Sequence, residues 1–125
     1  MKPLRRLLER LARPAEEIRA ENLQAWASSV PDVVHIVEAR ARCRTKVAGV
    51  IRNVRIDPGT GTGSIEATIT DGTGQMVAKW LGRSRLSGIR LGAGLVMEGT
   101  PGTAKDGQLV ILNPDYELVP DPEHG

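Results

Sequence analysis

Residues 64–81 read Ser64-Ile-Glu-Ala-Thr-Ile-Thr-Asp71-Gly-Thr-Gly-Gln-Met-Val-Ala-Lys-Trp-Leu81. Ile65, Ala67 and Ile69 alternate with Glu66, Thr68 and Thr70, the period-two pattern of a strand with one buried face. Asp71-Gly72-Thr73-Gly74 then supplies a tight turn, because glycine accepts the positive φ that hairpin turns require. Gln75–Leu81 returns as the next strand, so the middle of the chain predicts a β-hairpin.

Working outward, the upstream stretch from Arg40 to Ile51 also alternates. Arg40, Arg42, Arg44 and Lys46 fall on one face, and Ala41, Cys43, Thr45, Val47, Gly49 and Ile51 on the other. This predicts a long first strand that extends towards Ile56, with Gly49 as a bulge or bend. Residues 57–63 form a flexible connection rich in glycine. Downstream of the hairpin, Gly82–Gly94 reads as a connector, Leu95–Thr100 as a fourth strand and Gln108–Leu112 as a fifth after the Asp106-Gly107 turn. Tyr116–Val119 offers a last short pairing. Five short strands in this order predict a mainly β fold, a five-stranded Greek-key barrel of the OB type, with an SH3-like barrel as the structural alternative.

The start of the chain has a helical period instead. Leu4, Leu7, Leu8 and Leu11 make one apolar stripe among arginines, and Pro14 ends it. A second helical run from about Ala15 to Ser29 places Ile18, Asn22, Ala25, Trp26 and Ser29 on a mixed face before Pro31. The expected organisation is an N-terminal appendage of one or two helices over 1–38, a barrel over 39–119 and a polar tail over 120–125. The leucine stripe packs on the domain, or serves a protein partner or self-association. Membrane attachment is disfavoured, since one short basic helix gives marginal affinity.

The length of 125 residues allows one domain, and 17 Lys plus Arg against 15 Asp plus Glu give a net charge of only +2. Segments say more than the total. Residues 39–90 hold ten cations against Asp57, Glu66 and Asp71, whereas residues 91–125 hold Lys105 against six carboxylates. A basic middle of this kind suits a polyanion. Aromatic residues are 2%, with no Phe, so stacking on rings has only Trp26, Trp80 and Tyr116 to draw on. The single Cys43 forms no internal disulfide, and with no signal peptide or long apolar run the expectation is a cytoplasmic protein. His35 and His124 are far apart and fit neither a metal site nor a catalytic triad. The expectation is a binding module that is not an enzyme and takes no cofactor or metal.

Three motifs carry a family resemblance: Ile69-Thr-Asp71-Gly72-Thr-Gly74, Trp80-Leu-Gly82 and Asn113-Pro-Asp-Tyr116-Glu-Leu118. Together they resemble the OB-fold wedge domain of RecG-type branched-DNA helicases. With Val47-Ala-Gly49-Val-Ile51 and Leu86-Ser-Gly88-Ile89, residues 40–119 are similar still more closely to small stand-alone actinobacterial OB-fold nucleic-acid-binding proteins. The chain departs from the wedge pattern in having a single Trp80 where those domains often carry two adjacent aromatics. The resemblance implies a protein that binds single-stranded or branched DNA, or RNA, mainly through phosphate contacts and with little sequence preference.

An OB barrel presents its ligand face on strands two and three, flanked by two loops. Mapped here, that face carries Glu66, Thr68, Lys79, Trp80, Arg83 and Arg85, with the 57–63 loop on one side and Lys105 on the other, and the candidate nucleic-acid-binding residues are Arg42, Arg44, Lys46, Arg52, Lys79, Trp80, Arg83, Arg85 and Lys105. Each has a plain alternative. The arginines of the first strand are a phosphate-tracking stripe or a solvated face, and Trp80 is a stacking ring or core. Tyr116 is expected to close the core with a bonded hydroxyl, and Cys43 to be a small buried hydrophobe.

Overall fold

The computed structural model describes residues 15–58, 63–83, 86–120 and 122, so the leucine stripe of residues 4–11 lies outside it. A helix, α1 (Ala15–Ser29), precedes a short 3-10 turn (Ile36–Glu38) and seven strands. These are β1 (Thr45–Asp57), β2 (Ser64–Thr70), β3 (Gln75–Leu81), β4 (Gly94–Gly99), β5 (Gly102–Thr103), β6 (Leu109–Leu112) and β7 (Asp115–Val119). They form one sheet in the order β5-β6-β3-β2-β1-β4-β7. Every pairing is antiparallel except β3–β6. The fold is mainly β and OB-like, with seven strands where five were expected. The additions are the two-residue edge β5, too short to show any periodicity, and β7, which pairs along β4.

The central hairpin pairs Ile65 with Trp80, Ala67 with Ala78 and Ile69 with Met76, and all six side chains are buried. Val47, Ile51, Leu95, Met97 and Ile111 complete this core. Each buried aliphatic side chain contributes roughly 1.5–3 kcal/mol, which is how a chain without Phe builds a stable interior. Gly99 lets β4 approach β6, since a Cβ there would stand 2.5 Å from Ile111 Cγ2.

The first strand differs from its expected form at both ends. Residues 40–44 are a turn, not strand: Arg42 has φ 68°, and its N–H donates to Pro101 O at 2.8 Å. The four cations from Arg40 to Lys46 therefore form no single stripe, and Cys43 is exposed. The bulge lies at Arg52, where the register with β2 slips between Ile51 and Asn53, not at Gly49. Gly49 has another reason to be glycine: a Cβ would sit 2.8 Å from Thr70 O on β2.

α1 covers the outer side of β1 and β4. Ala27 packs with Ala48 and Val96, flanked by Trp26, Val30 and Val33. The buried stripe runs through Leu23, Trp26, Ala27 and Val30, so the expected face is corrected: Asn22, Ala25 and Ser29 are exposed. The Trp26 ring lies against Gly94, where a Cβ would stand 2.9 Å from Cη2 and 3.0 Å from Pro122 Cβ. Pro122, in the stretch expected to be a free polar tail, is buried. Among the described residues no helix is long and apolar enough to cross a membrane.

Asp71 locks the β2–β3 turn to the segment after α1. It is 2% exposed. Oδ2 accepts the Ile36 N–H at 2.9 Å, and Oδ1 accepts the Thr73 N–H at 2.9 Å, the Thr73 hydroxyl at 2.6 Å and the Gly74 N–H at 3.3 Å.

Candidate functional site

The outer side of β1, β2, β3 and β6 is built in cross-strand rows. One row runs Arg55–Glu66–Lys79–Leu112, and the next runs Asn53–Thr68–Val77–Val110. Alternation explains the placement: with Met76, Ala78 and Trp80 in the main core, Val77, Lys79 and Leu81 lie on the other side of the sheet, where Val77 is still buried. Asn113 extends the parallel pairing, donating its N–H to Lys79 O at 2.7 Å and accepting the Leu81 N–H on Oδ1 at 3.0 Å.

Among the described residues, two hollows open on this face. The larger, about 580 Å³, has Glu66, Lys79, Val110 and Leu112 in its floor and residues 100–104 with Arg42 as its wall. The smaller, about 150 Å³, is lined by Arg55, Asp57, Ser64, Glu66 and Lys79. Glu66 and Lys79 thus border both, joined by an ion pair at 3.3 Å (Nζ to Oε1) with side chains 30% and 33% exposed. The bond from Arg42 N–H to Pro101 O latches the Arg42 turn to the wall.

Of the residues expected at the site, Arg42 and Lys79 come together at the larger hollow. Lys105 is exposed at the tip of the β5–β6 connection, a turn closed by Gly107 N–H to Ala104 O at 2.9 Å. Arg52 is exposed at the bulge of β1, and Arg83 is exposed just beyond β3. Arg85 lies outside the described residues.

Arg44 and Lys46 turn to a different side. Arg44 Nε meets Glu98 Oε2 at 3.0 Å and Nη2 meets Asp115 Oδ2 at 3.6 Å, on β4 and β7. Lys46 stands in register with Glu98, and its carbonyl accepts the Val34 N–H at 2.9 Å. Arg55 was missed by sequence reasoning, because the bulge at Arg52 reverses which residues of β1 face outward.

Trp80 is core, 3% exposed, and cannot stack a base on its face. Among the described residues, its Nε1 is the buried side-chain polar atom without a partner. Tyr116 closes over it edge-on, with centroids 5.1 Å apart at 68°, yet stays 39% exposed rather than buried. A Trp26→Phe variant, emitting from Trp80 alone, should show blue-shifted fluorescence that iodide barely quenches. Quenching as strong as that of free tryptophan would place Trp80 on the surface.

A solved structure resembles this chain over most of its length. The likeness is one of fold. RecG bound to a three-way DNA junction aligns at TM-score 0.58 and 19% identity, over 71% of this chain and 12% of that one. A replication protein A heterotrimer bound to ssDNA aligns at TM-score 0.49 and 20% identity, over 82% of this chain and 80% of the other. This chain therefore spans a small part of the RecG polypeptide. No protein-family model matches the chain, and no curated protein does.

Proposed function

We propose that this protein is a non-catalytic, cytoplasmic nucleic-acid-binding module of the stand-alone OB type, which takes single-stranded or branched DNA, or RNA, across the β2–β3–β6 face. The observation that carries the reading is the pair of hollows on that face, bordered by Arg42, Arg55 and Lys79. Exposed Arg52, Arg83 and Lys105 lie in the connections and bends around the same strands. The fold likeness to a junction-bound RecG supports it. With Trp80 buried, the described face carries no tryptophan for base stacking, so phosphate contacts supply most of the affinity and there is little sequence preference along most of the bound strand. The alternative reading, an adaptor that docks a partner or a second copy on Leu4, Leu7, Leu8 and Leu11, draws on the sequence pattern alone.

Fluorescence anisotropy with a labelled single-stranded oligonucleotide tests the proposal. Three to four phosphate contacts would give a log–log salt slope near −2.5, a loss of about thirtyfold between about 50 and 200 mM salt. Absence of binding at low salt, or an affinity indifferent to salt, would overturn it.

A further inference from the structure

We propose that Glu66 and Lys79 form a guanine-reading position within this face. The inference rests on the reading that the face binds nucleic acid, and it names the base that its centre selects. A carboxylate at the middle of a phosphate-binding surface repels the ligand's backbone, and its acceptor capacity beyond the Lys79 contact suits the hydrogen-bond donors of a base. Glu66 stands in register between Arg55 and Lys79 and is only partly exposed. It neutralises the ammonium beside it and repels a phosphate, so the strand's backbone must pass to either side of it.

What the pair offers is an ammonium donor beside two carboxylate acceptors, with Lys79 Nζ touching one of those oxygens, Oε1. Guanine is complementary to that arrangement. Its Watson–Crick edge carries the O6 acceptor next to the N1–H and N2–H donors, so both donors meet the carboxylate while O6 meets the ammonium. Cytosine and adenine present one amino donor beside a ring-nitrogen acceptor. Thymine and uracil present one imino N–H between two carbonyls. Val110 and Leu112, in the floor beside the pair, supply an apolar surface for the base. The edge must be unpaired to be read, which agrees with a single-stranded ligand.

The experiment compares labelled oligothymidines that carry at their centre one dG, one inosine or no substitution, with unlabelled guanosine monophosphate as competitor. The dG strand should bind about tenfold tighter than the all-thymidine strand. Inosine, which lacks the N2 amino group, should lose most of that gain, and Glu66→Gln should bring the dG-to-thymidine ratio close to one. Equal affinity for the dG and thymidine strands, or a preference that survives Glu66→Gln, overturns the guanine assignment and leaves the nucleic-acid reading in place. If no strand binds at low salt, the nucleic-acid reading falls instead. The guanine site then holds only if guanosine monophosphate binds the native protein and not Glu66→Gln.

Discussion

An Asp71→Ala variant should lose about 3 kcal/mol of stability, which at this chain length lowers the thermal midpoint by about 10 °C. The carboxyl group accepts four hydrogen bonds, from the Ile36, Thr73 and Gly74 N–H groups and from the Thr73 hydroxyl. Removing it strands three backbone donors, and the Ile36 N–H belongs to a residue that is 3% exposed and makes a buried bond. An orphaned buried donor costs about 1–3 kcal/mol, so the Ile36 bond alone accounts for a large part of the loss. Asp71→Asn keeps one acceptor oxygen and should lose less. Asp106 is the control. It also precedes a glycine in a turn, but it is exposed and, among the described residues, accepts only the Gln108 N–H at 3.0 Å. Asp106→Ala should therefore cost no more than about 1 kcal/mol. Thermal melts followed by circular dichroism measure all three, and equal losses at Asp71 and Asp106 would refute the locking role of Asp71.

That contrast shows where the sequence is readable and where it is not. Both aspartates announce a turn, because each is followed by glycine. Thr73 and Gly74 add local bonds at Asp71, but the contact that buries it reaches a segment 35 residues away and leaves no mark in the turn sequence. The hairpin itself was legible to the residue: alternation placed β2 at Ser64–Thr70 and β3 at Gln75–Leu81, as observed. The α1 boundaries were legible from Pro14 and Pro31, but its buried stripe was not. Ala27 is held by fitting beneath its neighbours, and Trp26 by the bare backbone of Gly94, neither of which has a signature in helical hydrophobicity. In β1, odd-numbered residues face the core as far as Ile51, and after the bulge Asn53 and Arg55 pair with outward Thr68 and Glu66. A reader without the bulge assigns Arg55 to the wrong face. β5 is two residues long and carries no period at all.

Arg42 and Arg44 make the sharpest test of the candidate surface, since alternation alone gives them the same role. Arg42 is turned by its positive φ and held against Pro101, which puts it in the wall of the larger hollow. Arg44 is two residues further on, but Glu98 and Asp115 bind its guanidinium on the β4–β7 side. Reversing the charge at Arg42 removes one phosphate contact and adds a repulsion. Arg42→Glu should therefore weaken single-strand binding at low salt by about tenfold or more and reduce the salt slope by about 0.7. Arg44→Glu should change affinity by no more than about twofold, the effect of a screened charge outside the contact surface. It should instead lower stability slightly, because it sets three carboxylates side by side where an ion pair stood. Anisotropy titrations of both variants at two salt concentrations decide the matter. Equal losses of binding would mean that the strand follows the arginines of residues 40–46 and not the β2–β3–β6 face. A loss confined to Arg42 would fix the path of the phosphates along the wall formed by residues 100–104, directly beside the Glu66–Lys79 pair.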